Sequence, residues 1–238
     1  MEQPGTSPLT EAVRELASHV VSALRSGDHI VAFRTASGGS EDEDLTLAAT
    51  RVLGADAMLP AVLAGRPAAP DDLAAFEKAV VGFPPPPDAA PTTRWSHWAM
   101  TRTLAALGPT AAVGPYGDAE PDAGWLDGAP WQQLTHQLAV LGALAVPGPA
   151  CAVSRVAAAR PLDVARGFVR AVRRRDWLQA AAAGRWLVLL DGVPGHSGVP
   201  DTLGLDDGLD FVRMMSAGDP RVELHLLAAR ALRDRERA

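Results

Sequence analysis

Along most of the chain apolar residues recur every three or four positions, and strict alternation is almost absent. Leu9, Val13, Leu16, Val20 and Leu24 fall on one side of a helix, with Glu11 and Glu15 on the other. This pattern predicts a helix over 9–26. A second helix is announced by "SGGSEDEDLTLAATRVLG". Ser40 with Glu43 three residues later forms a capping box, the acidic cluster suits the positive end of the helix dipole, and Gly54 supplies a stop. "PDDLAAFEKAVVG" is a third unit, opened by Pro70 and two aspartates and closed by Gly82. Only "IVAF", Ile30 to Phe33, reads as a short strand or an extended connector.

Beyond the middle of the chain the helices follow closely, at about 128–145, 150–159, 161–175, 177–190, 206–217 and 220–235. Asp219 and Pro220 give the last of these a well-formed start. The fold class read from this pattern is all-α. The architecture expected is an irregular helical bundle or a short array of helical hairpins, with roughly ten helices.

"FPPPPDAAPT" interrupts the pattern with four consecutive prolines, which favour an extended spacer. The charge balance shifts there as well. Residues 1–90 carry 13 acidic and 6 basic side chains, and residues 91–238 carry 15 and 16. The division expected is an acidic helical subdomain over 1–82, a proline-rich linker over 83–92 and a helical subdomain over 93–238, the two halves sharing one core or standing apart.

Composition narrows the function classes. Hydrophobic residues at 47% and charged residues at 21% suit a globular protein and not a disordered one. A formal charge of -6 gives no electrostatic case for nucleic acid or a membrane surface as partner. One cysteine, Cys151, excludes a disulfide framework or a cysteine zinc site. The first residues lack the basic and apolar regions of a signal peptide, and the cytoplasm is the expected compartment. Lys78 is the only lysine and Ile30 the only isoleucine, and asparagine is absent. These choices point to a GC-rich, actinobacterial type of genome, in which arginine is the default cation.

Candidate chemistry is sparse. In "TTRWSHWAMTRTLAALG" two tryptophans flank His97 in the text, but at about 100° per residue Trp95 and Trp98 lie together while His97 turns towards Met100, Thr101 and Leu104. That stretch reads as the buried start of a helix. His136 falls opposite the apolar stripe of its helix, and His225 reads as a half-buried helix residue. Glu15 and His19 share a face, but no HExxH or ExxH pattern supplies further metal ligands. Ser197 sits among glycines in "PGHSGV", where the spacing departs from a nucleophile elbow, so the segment reads as a loop. No metal site and no cofactor are expected, and no catalytic residue is assigned.

Two features remain. Asp206, Asp207 and Asp210 form D-D-x-x-D in "LGLDDGLDFVRM", which resembles the aspartate-rich motif of the isoprenyl diphosphate synthases. Asp71 and Asp72 lie upstream as a partial counterpart of that family's other motif, with Glu77 where the closing aspartate belongs. The resemblance implies an all-α enzyme that handles a diphosphate or small metabolite with magnesium. The second feature is an arginine ridge. In "RPLDVARGFVRAVRRRDW", Val164, Phe168 and Val172 make a core face, while Arg166, Arg170, Arg173 and Arg174 gather opposite. From Arg155 to Arg185 there are eight arginines and two aspartates. Such a face holds carboxylates or phosphates through bidentate hydrogen bonds. The favoured expectation is therefore an accessory or adaptor protein, in a specialised-metabolism pathway, whose partner is an acidic protein or peptide bound at those four arginines. A solvated face is the competing reading of the ridge.

Overall fold

The structure is a computed structural model that describes residues 7–28, 31, 40–108, 119–148, 150–191, 199–200 and 203–237. The protein is all-α, with twelve α-helices, two short 3-10 turns and no strand among the described residues. The side chain of Ser40, Ser197 with its flanking glycines, and all of "IVAF" except Val31 lie outside the described residues.

Two compact units emerge. One comprises residues 1–88 and 97–118, the other residues 89–96 and 119–238. The residues around the proline run, 83–90, form no helix.

The first unit contains α1 (Pro8–Ser26), α2 (Ser40–Leu53), a 3-10 turn (Gly54–Met58), α3 (Leu59–Ala64), α4 (Pro70–Gly82) and most of α5 (Pro91–Leu107). Ser7 caps α1 by accepting from the Thr10 amide at 3.3 Å, and Gly27 ends it in the left-handed conformation. Val13, Leu16 and Val20 are buried as their spacing predicts. Gly54 adopts a positive φ of 63°, so α2 stops there and the chain continues as the tighter turn. Phe76, Val80, Met58, Met100 and Leu104 form one buried cluster. The stretch Asp42–Ala64 is long and apolar enough to cross a membrane, yet most of it is buried, with α2 packed against α1 and α4. Asp72, one of the aspartates opening α4, does more than favour the dipole: its buried carboxylate accepts from the Val31 amide at 2.8 Å.

The second unit contains the first turn of α5, then α6 (Gly124–Asp127), α7 (Trp131–Val140), a 3-10 turn (Gly142–Leu144), α8 (Ala152–Ala159), α9 (Pro161–Arg173), α10 (Trp177–Asp191), α11 (Leu205–Met215) and α12 (Pro220–Arg237). Its axis is α10, apolar nearly all round and buried from Ala180 to Val188, with α7, α9, α11 and α12 packed about it. Small residues let the neighbours come close. A Cβ on Gly184 would stand 2.4 Å from Leu209 Cδ2. Trp186, fully buried, donates its indole N–H to the Leu138 carbonyl at 2.7 Å and ties α10 to α7. The expected cap of the last helix is present, with the Arg221 amide donating to Asp219 Oδ1 at 2.9 Å.

Candidate functional site

The arginine ridge becomes a groove. Around α9, Val164, Phe168 and Ala171 turn into the core of the second unit, Val172 is half-buried, and Leu162, Arg166, Val169 and Arg173 on the other side are exposed. Arg166, Arg170, Arg173 and Arg174 all line one open groove of about 770 Å³. Its floor is α9, one wall is Trp131 at the start of α7, and the other is Pro200 with Leu203. The sequence missed its apolar lining. Leu162 and Val169 lie within it and are 55% and 42% exposed, so the face opposite the core is amphipathic and not purely cationic.

The four arginines differ in how firmly they are held. The Arg170 guanidinium sits 5.5 Å from the centroid of the Trp131 ring, a cation–π contact that fixes both groups. Arg166 pairs with Asp163 at 3.2 Å. Asp163 is shared with Arg160, whose guanidinium lies 2.7 Å away. Arg173 and Arg174 are exposed. A smaller recess of about 290 Å³ continues beside Arg170 and Arg174 towards Thr135, His136 and Gln179.

Two supports set the shape of this groove. Arg160 Nη1 donates to the carbonyls of Ala129 at 2.8 Å, Leu126 at 3.3 Å and Asp127 at 3.4 Å. It thereby ties the end of α6 and the entry to α7 onto the start of α9, a cation at a helix C-terminus. The second support is the crossing of α7 and α9 at Gly167, where a Cβ would stand 1.8 Å from Thr135 Cγ2. Thr135 itself donates its hydroxyl to the Trp131 carbonyl one turn back. Trp131 is therefore placed by contacts that the glycine makes possible.

The cationic count of the sequence overstates the surface. Arg185 is fully buried in α10, donates from Nε to the Ala145 carbonyl at 2.9 Å and lies 3.4 Å from His225 Nδ1. Arg155 pairs with Glu120 at 3.2 Å. With Arg160 bound to carbonyls, three of the eight arginines serve other contacts.

The aspartate motif is held differently. Asp206 pairs with Arg233 at 3.1 Å and Asp210 with Arg213 at 2.8 Å. Arginines thus occupy two of the three carboxylates, where magnesium binding would want them open towards one point. Among the described residues no cluster of three histidine, cysteine, aspartate or glutamate side chains is placed to hold a metal. Asp72 is already engaged with the Val31 amide.

The histidines are placed much as their spacing predicts. His136 is exposed and His225 half-buried. His97 is buried, with Nδ1 3.4 Å from Arg51 Nη1, and Arg51 also donates to Met100 Sδ at 2.8 Å. Burial first, and then the Arg51 charge, lower the His97 pKa, while burial lowers that of Arg51. The tryptophans do not sandwich His97. Trp95 is buried and donates to the Asp122 carbonyl at 3.0 Å, while Trp98 stacks with Arg102.

No protein family, curated protein or solved structure matches the chain.

Proposed function

We propose that this is an accessory protein that acts by binding, and that an acidic segment of a partner protein docks in the α9 groove. One observation carries the reading: three arginines of α9 and Arg174 at its C-terminal end line a single groove with Trp131, Leu162 and Val169. A merely solvated cationic face has no need of an apolar floor. An arginine stacked on a tryptophan is also pre-ordered, so less side-chain entropy is lost when it meets a carboxylate.

The test is fluorescence anisotropy with a labelled glutamate-rich peptide, comparing wild type with the variant carrying Arg166→Gln, Arg170→Gln, Arg173→Gln and Arg174→Gln. Binding is expected at low salt and should weaken as salt rises. The variant should lose at least about tenfold, because four exposed pairs at roughly 0.5 kcal/mol each exceed the about 1.4 kcal/mol of one decade. Equal affinity for both proteins, or no binding to wild type at low salt, removes the proposal.

A further inference from the structure

Resting on that reading, we infer that the docked segment is an amphipathic helix, an apolar stripe flanked by carboxylates, laid along α9. The spacing on α9 is that of a helix–helix seam. Leu162 and Val169 repeat at seven residues with Ala165 between them, and Arg166 and Arg173 repeat at seven beside them. In heptad terms the first three take a, d and a positions, and the two arginines take successive e positions. All five line the groove.

This is unusual for a helix whose opposite side, at Val164, Phe168 and Ala171, already fills the core. One apolar face suffices to fold α9, and the second is left open at Leu162 and Val169. From Leu162 to Arg173 the floor runs about 16 Å at 1.5 Å per residue, room for about three turns of a partner helix. Trp131 on one side and Leu203 on the other supply apolar edges. Apolar side chains of the incoming helix would rest on Leu162 and Val169, with the buried Ala165 between them. Its flanking glutamates would meet Arg166 and Arg173 on the seam and Arg170 beside it, the charge relation that sets partner choice in paired helices.

Three peptides decide the matter. The first has leucines at i, i+3 and i+7 flanked by glutamates, the second is the same composition scrambled to break that spacing, and the third is glutamate-rich without leucine. Wild type should bind the first about tenfold or more tighter than the second, and the first should gain helical circular dichroism on binding. The variant Leu162→Ala with Val169→Ala changes two exposed residues. It should lose that preference while keeping its affinity for the third peptide. If the first two peptides bind alike, the helix inference is overturned while acidic docking stands. If no peptide binds at low salt, both fall. A long-chain alkyl carboxylate that displaces the first peptide more effectively than the peptide competes with itself also overturns the inference. So does self-association of the protein alone that the double variant abolishes.

Discussion

His97 shows how a residue that looks catalytic in the text becomes structural once its surroundings are known. Its pKa is lowered by burial and by the Arg51 charge, so the unfolded chain takes up a proton at higher pH than the folded chain does. The stability this contributes is whole above about pH 6.5, the ordinary histidine value, and is lost as pH falls through the lowered folded value. The Arg51 guanidinium, which also donates to Met100 Sδ, lies 3.4 Å from the ring. Replacing His97 by glutamine removes this titration and leaves the other histidines in both proteins. The fall in unfolding free energy from neutral to mildly acidic pH, measured by urea denaturation, should be smaller in His97→Gln than in wild type. Equal slopes would mean that His97 titrates alike in folded and unfolded chains.

At the scale of elements, the crossing of α7 and α9 is the feature on which the groove depends. Gly167 admits Thr135 where a methyl group would not fit, and the contact is between two helix faces, not with a loose side-chain tip. Gly167→Ala must push the helices apart. A helical alanine ordinarily gains about 1 kcal/mol over glycine, but overpacking of this kind costs about 1–3 kcal/mol and should dominate. The expected result is a destabilised protein whose Trp131 fluorescence environment shifts, because Trp131 and Arg170 no longer meet at their present spacing. A variant as stable as wild type, with unaltered fluorescence, would show that the helices are not that close. Most helix ends and faces are legible in the sequence. The single helix expected over 128–145 is shorter, however, with α7 running from Trp131 to Val140 and a 3-10 turn following it. The short α3 and α6 have no counterpart among the expectations. The prediction for α9 came within two residues of its end, and the four arginines were placed on one face by periodicity alone. What periodicity cannot show is which neighbour lies across that face. The Trp131 wall, the Arg160 ties to three carbonyls and the edge at Leu203 all join residues distant in sequence. The exposure of Leu162 and Val169 was hidden for a related reason: an apolar residue on a helix is normally assigned to the core, and here two sides of α9 are apolar.

At the scale of the whole molecule the question is whether the arginines serve the fold or a partner. The chain is net -6, yet it places Arg166, Arg170, Arg173 and Arg174 together around one groove. Their mutual repulsion acts over distances within a Debye length, so it is felt locally whatever the distant acidic residues contribute. Against this, Arg170 gains about 0.5–1 kcal/mol from Trp131 and Arg166 gains up to about 1 kcal/mol from Asp163. Removing all four charges therefore relieves repulsion and forfeits two modest attractions, terms of similar size and opposite sign. Glutamine keeps polarity and helix propensity at each position. The quadruple glutamine variant should unfold within about 1 kcal/mol of wild type in the absence of any ligand. Urea denaturation of the two proteins at low ionic strength measures this directly. A loss of several kcal/mol would assign the arginines to holding α7 and α9 together, and a docking role would then have no independent support. Unchanged stability alongside lost peptide binding is the combination expected of a surface kept for a partner.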